Sequence, residues 1–257
     1  MTQKMEKKII FFDDRRDIII PGNATETIAY CAEQFVNVAE ESIKHHECFN
    51  VALSGGSTPK AIFQLLATPE YRKRVDWSKV NLFWSDERCV PPEDSESNYH
   101  MAMTAGFATL PIPKKNIFRM PADSENQEEA AHRYENILLE HLHEKSFDLV
   151  TLGMGEDRHT ASLFPKTHGL HVDTGRLVIA NYIPQKETWR MSFTFECINS
   201  SRHIAIYVIG KNKAPMVSKV LTSPYDPDNL PIQQIGTRTH KALWILDAEA
   251  ASLLKTY

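Results

Sequence analysis

The residues best equipped for chemistry stand together at 156–159, where Glu156, Asp157, Arg158 and His159 follow the two glycines Gly153 and Gly155. An imidazole with acids beside it is the equipment of a general base. Its free pKa is about 6.5, so near neutral pH it can take a proton from water. Asp157 or Glu156 can fix its tautomer; sequence adjacency does not choose between them, and we assign Asp157. Three other cations are candidates to hold an anion: Arg88 in the run Asp86-Glu87-Arg88, Arg190, and Lys213. A guanidinium donates two parallel hydrogen bonds and suits phosphate or carboxylate. The stretch SGGSTP at 54–59 adds an uncharged anion holder. Gly55 and Gly56 let the backbone approach a ligand closely. Ser57 or Thr58 is expected to cap a helix, with Pro59 near its start, and the free N–H groups there can bind an anion. The loop lacks both the Lys-[Ser/Thr] pair of a nucleotide phosphate loop and the dinucleotide-binding spacing. A phosphate smaller than a nucleotide fits it better.

These residues need elements to position them. Each polar cluster follows a short apolar run: Asn50-Val51-Ala52-Leu53 before the glycine loop, KVNLFW (79–84) before Ser85–Arg88, and Leu149, Val150 and Leu152 before Gly153. IAIYVI (204–209) runs into Gly210 and the lysines Lys211 and Lys213. Apolar runs without alternation are strands buried on both faces. Helical spacing is expected over 24–44, 60–67, 98–108 and 127–143, the last carrying His141 and His143 on different sides. Further short strands are expected at 8–12 and 17–20 as an edge hairpin, at 115–119, 177–180, 190–195 and 242–246. Over 190–195, Arg190, Ser192 and Thr194 alternate with apolar residues, as in a strand with one wet face. A short closing helix is expected at 248–254. Strands and helices alternate throughout 1–257, with no repeat and no linker. That implies one α/β domain: a mostly parallel, Rossmann-like sheet covered by helices on both faces, with a small extra antiparallel strand element. Ligands of such folds bind where the chain leaves the carboxyl ends of the strands.

Composition narrows the function. The 257 residues are 42% hydrophobic and 24% charged with a net charge of −4, so there is no basic footprint for nucleic acid. Any phosphate must be held by a few placed cations. Cys31, Cys48, Cys89 and Cys197 form no C-x-x-C pair, which fits a reducing compartment. Cys89 beside Arg88 is either a thiol of lowered pKa or, more ordinarily, a small apolar residue. His45-His46-x-Cys48 is poor metal-ligand spacing on a helix, where adjacent residues point apart. No run is long enough to cross a membrane, and the apolar part of the N-terminal stretch is too short for a signal-peptide core. A cytoplasmic protein is expected, without metal, nucleic acid or membrane partner, as a monomer or weak homo-oligomer.

Three motifs in order, SGGSTP, WSDERCVPP (84–92) with SNY (97–99), and LGMGEDRHTASLFP (152–165), resemble the 6-phosphogluconolactonase family. WRMSFT (189–194), IGKNKA (209–214) and LWILDAEAA near the end are similar to its later signatures. The resemblance covers nearly the whole chain. It implies hydrolysis of 6-phospho-D-glucono-1,5-lactone to 6-phosphogluconate in the pentose phosphate pathway, without metal or organic cofactor. His159 stands at the position of the family's proposed general base. The glycine loop (Gly55, Gly56, Ser57, Thr58), Arg88, Arg190 and Lys213 stand at its substrate-holding positions. Two departures occur. The family's GEDGH reads Gly155-Glu156-Asp157-Arg158-His159 here, and its PAS reads Pro231-Ile232-Gln233. Arg158 can strain the turn, block the pocket, point outward, or add a phosphate contact. If it blocks, the alternative is a sugar-phosphate-binding regulator. The other rival is a glucosamine-6-phosphate deaminase/isomerase, which shares SGGSTP. That family reads DEY where this chain has Asp86-Glu87-Arg88, and AFNEP where it has Ala161–Pro165.

Overall fold

The computed structural model describes residues 8–142 and 146–254; the expectation for His143 lies outside them. Two sheets form. The larger has seven strands in the order β1 (Ile10–Phe11), β2 (Arg16–Ile19), β10 (Ala242–Leu246), β9 (His203–Val208), β6 (Leu149–Leu152), β3 (Phe49–Leu53), β4 (Val80–Trp84). All neighbours run parallel except β1 against β2. That pair is the expected edge hairpin, and Asp13 folds its turn by accepting from the Arg15 and Arg16 N–H groups at 2.8 Å each. Every residue of β3 and β6 is buried, so both faces of the sheet are covered. Among the described residues no helix is long and apolar enough to cross a membrane.

The long helix α1 (Ala24–His46) starts where the chain makes a capping box. Asn23 accepts from the Glu26 N–H, and the Glu26 carboxylate accepts from the Asn23 N–H, worth about 1 kcal/mol. From β3 the chain moves outward through α2 (Ser57–Leu66) and α3 (Pro69–Arg72) to β4. It then returns through α4 (Asn98–Thr104) and α5 (Gln127–His141) to β6, on the opposite side of β3. The direction of winding therefore reverses between β3 and β6, where an α/β sheet opens a crevice at its carboxyl edge.

The second sheet is antiparallel, in the order β5 (Asp86–Arg88), β8 (Thr188–Phe193), β7 (Val178–Ile183). Helices α6 (Phe195–Asn199) and α7 (Ala214–Thr222) flank β9 in sequence. Several local expectations change. Asp86–Arg88 is a strand, not a loop: three polar residues gain their ladder from Arg190–Ser192, about a hundred positions away. Ser192 is fully buried, because the loop after β6 packs on that face, with the Ser162 N–H donating to Ser192 Oγ at 3.1 Å, so the wet face predicted over 190–195 is largely closed. Residues 115–119 give one bridge, Ile117 to Leu82, because a 3-10 turn occupies Lys114–Asn116. Residues 248–254 make turns. The Asp247 carboxylate ties the Ala250 N–H at 2.8 Å and the Gly210 N–H at 3.0 Å, and the later bonds there are of the i to i+3 kind.

Candidate active site

At the crevice between β3 and β6 lies a cleft of about 200 Å³. Ser54, Gly55 and Gly56 close one side after β3. Asp86 and Arg88 of β5, with Asn98 at the start of α4, close another. Gly153, Met154, Gly155, His159 and Ala161 complete it after β6. Each group follows a strand's carboxyl end, as the apolar run before each cluster predicted.

His159 is held on three sides. Its Nδ1 pairs with the Asp157 carboxylate. Its ring stacks on Phe164, with centroids 3.9 Å apart and planes at 17°. Its carbonyl accepts from the Gly155 N–H at 2.9 Å. The acid that reaches the imidazole is thus Asp157, which also accepts from the His159 backbone N–H. With Nδ1 engaged, Nε2 is the ring nitrogen left for chemistry. Burial pushes the Asp157 carboxyl up, but the hydrogen bond and charge of His159 outweigh it and hold the group below its usual range. Gly155 has a steric reason: a Cβ there would lie 2.1 Å from the His159 ring.

Arg158 adopts φ 69°, the left-handed region that favours glycine. The backbone turn therefore survives without glycine, at a strain of about 1–2 kcal/mol. Its carbonyl accepts from the Ile232 N–H at 3.3 Å. Arg158 lines a separate cavity beside α7 and is not among the residues that line the cleft.

The glycine loop departs from expectation in one detail. Helix α2 begins at Ser57 with Gly56 as its N-cap at φ 109°, and neither Ser57 nor Thr58 caps it. The first N–H groups of α2 thus lack a side-chain acceptor, the condition for holding an anion. Ser57 and Thr58 are not among the residues lining the cleft. Gly55 is required by Asn98, whose Oδ1 would lie 1.8 Å from an added Cβ.

Of the cations, Arg88 lines the cleft and donates to the Glu96 carbonyl at 2.6 Å. Arg190 stands directly across the ladder from Arg88. Burial, with the Arg88 charge beside it, pulls its guanidinium below the usual range. Two guanidiniums in register repel, and an anion between them would relieve that. Lys213 is not among the lining residues, but its Nζ donates to the carbonyl of Met154, which is, at 2.9 Å. Glu87 of the same run is structural: it is buried and accepts from the N–H groups of Arg88, Asn98 and Tyr99 at 2.7–2.8 Å, fixing the start of α4. Cys89 is no reactive thiol. Burial pushes it up to about 12, and its Sγ lies 3.1 Å from Gln127 Oε1. His46 pairs with Asp148 at 3.0 Å rather than with Cys48. Among the described residues no three His, Cys, Asp or Glu side chains gather as a metal site would need.

Sequence reasoning missed three polar cleft residues. Asp86 is buried and accepts from Ser162 Oγ at 2.7 Å and from Asn98 Nδ2 at 3.3 Å. Asn98 itself lay in the quoted SNY stretch. Ser54 is 3% exposed, and its Oγ meets no partner although it lines the cleft. A buried hydroxyl without a partner costs about 1–3 kcal/mol, which a bound ligand can recover. Its position before two glycines was the only signal.

The model of the family described as glucosamine-6-phosphate isomerases/6-phosphogluconolactonase matches residues 22–244. The 6-phosphogluconolactonase of Chlamydia pneumoniae is 36% identical over 243 residues, covering 94% of this chain and 92% of that protein. The crystal structure of a devB protein superposes with a TM-score of 0.85 at 30% identity, over 93% of this chain and 100% of that one. The 6-phosphogluconolactonase of Trypanosoma brucei gives a TM-score of 0.79 at 25% identity, over 93% and 98%.

Proposed function

The chain belongs to the 6-phosphogluconolactonase family, within the wider group that includes the glucosamine-6-phosphate isomerases, and on that premise we propose that it hydrolyses 6-phospho-D-glucono-1,5-lactone to 6-phospho-D-gluconate with His159 as general base. The observation that carries this reading is the His159 imidazole, tied at Nδ1 to Asp157 and bordering a cleft that also holds Arg88 and the glycine loop. A lactone is an activated ester, so water suffices as nucleophile. Nε2 of His159 takes a proton from water as its oxygen bonds to C1. The carbonyl oxygen becomes an oxyanion. The C1–O5 bond then breaks and the ring oxygen takes the proton from the imidazolium, leaving a carboxylic acid that ionises. Asp157 keeps the imidazole in the tautomer that leaves Nε2 unprotonated and stabilises the imidazolium.

The distant phosphate is the anchor. Arg88 and Arg190 are its natural partners because they oppose each other in the ladder, and Lys213 and the start of α2 supply further donors. Anchoring C6 orients C1 toward the base. Ser54 Oγ, buried in the cleft and unpartnered, is a donor for the oxyanion or a ring hydroxyl. Arg158 gives the regulator alternative no support, since its side chain lines a different cavity.

The test is turnover. The purified protein should open the lactone faster than the spontaneous reaction, and His159→Ala should remove roughly 10²–10⁴-fold of that gain while the far-ultraviolet circular dichroism stays unchanged. Wild-type protein that matches the blank rate yet binds 6-phosphogluconate would sink the lactonase reading and favour a sugar-phosphate regulator.

A further inference from the structure

Arg158 leaves one question open: what its side chain meets after turning away from the lactone cleft. It enters a cavity of about 400 Å³ framed by α7 and residues 223–230, shared with Lys219, Ser223, Asp226 and Asn229. Its Nε is buried and has no hydrogen-bond partner. Lys219 enters the same cavity from the last turn of α7. One carboxylate lines the same cavity: both Asp226 oxygens accept from Asn229 Nδ2, at 3.0 and 2.9 Å. Two cations thus face one space that holds a single acid, which leaves a net positive charge. The guanidinium is kept there although its backbone holds a conformation that glycine would adopt without strain.

We propose that Arg158 and Lys219 form a second anion site, separate from the lactone cleft, that takes a small phosphate-class dianion. The guanidinium fork and the ammonium supply charge, and the Ser223 hydroxyl supplies a further donor. The site is tied to the base through two backbone bonds. The Ile232 N–H donates to the Arg158 carbonyl at 3.3 Å, and the Lys166 N–H to the Asp228 carbonyl at 3.2 Å. Residues 226–232 therefore fasten both ends of the turn that carries His159. An anion that orders Arg158 bears on the residue immediately before the base.

The experiment is calorimetric titration of the whole protein with inorganic phosphate, and it does not depend on turnover. Wild type should bind at two sites. Arg88→Ala should lose the cleft site and keep the other. Arg158→Gly, whose backbone suits φ 69°, and Lys219→Ala, on the helix surface, should each keep the cleft site and weaken the second by about tenfold or more. A single site that disappears in Arg88→Ala would overturn the proposal. So would a second site whose affinity stays within about twofold in both Arg158→Gly and Lys219→Ala. Failure of the lactonase reading would show instead as a wild-type rate equal to the blank, whatever phosphate does.

Discussion

At the scale of single residues, the reading turns on how His159 is held. Asp157 lies below its usual range because its charge is coupled to the imidazole, and the same pairing orients the ring. Asp157→Asn should therefore lower kcat by roughly 10²-fold. A kcat that stays at the wild-type value would deny Asp157 its role. The sign for stability follows from the same shift. The folded carboxyl titrates below its unfolded value of about 3.9, so the pair stabilises the fold above that pH and the contribution fades as acid protonates Asp157. Ser54 is the opposite case. Its hydroxyl has no partner in the free protein, so Ser54→Ala should leave Tm unchanged or raise it while lowering turnover by about tenfold. A fall in Tm would make the hydroxyl structural. Sequence showed His159 and its acids because their types announce chemistry; it could not show Ser54, whose significance is the absence of a partner in three dimensions.

At the scale of elements, the glycines separate loops that shape the site from loops that merely turn. A methyl on Gly155 would strike the His159 ring, whereas Gly153 has nothing within 4 Å of an added Cβ. Gly155→Ala should displace the base and cost at least about 10² in kcat, with a stability loss of about 1–3 kcal/mol. Gly153→Ala should leave stability within about 0.5 kcal/mol, as urea denaturation would measure. Equal stability loss in both would contradict the packing of this loop. The parallel strands were legible because each is a continuous apolar run whose cover the run itself demands. Strand β5 was not. Asp86-Glu87-Arg88 has no strand pattern, and it becomes a strand only because β8 presents a free edge to it. The same gap hid the neighbourhood of Arg88 and Arg190, which are 102 residues apart in sequence and opposite each other in space. The cap of α2 failed for a different reason: Gly56 at φ 109° supplies the geometry that a serine or threonine side chain would otherwise enforce.

At the scale of the molecule, the cleft is the seam between two sheets, and one serine on the His159 loop bonds to every strand of the smaller one. Ser162 accepts at its carbonyl from Asn181 of β7 and donates its N–H to Ser192 Oγ of β8. Its Oγ donates to the Asp86 carboxylate of β5 at 2.7 Å. It lies on the same loop as His159, after β6, so it joins the parallel sheet to all three strands of the other. No sequence pattern marks it, because its three partners come from three distant segments. The backbone bonds would survive Ser162→Ala, but the buried Asp86 oxygen would lose its hydroxyl donor. Losing one partner of a buried charged acceptor costs about 1–3 kcal/mol, so urea unfolding should show a lower midpoint with an unchanged slope. Asp86 and Arg88 would then be less firmly set against the His159 loop. Stabilisation by 6-phosphogluconate, which on the proposed reading spans Arg88 on one sheet and the 153–159 loop on the other, should shrink with it. A Ser162→Ala protein whose midpoint and ligand-induced Tm rise both match wild type would mean that the sheets are joined without this hydroxyl, and that the cleft owes its shape to the backbone bonds alone.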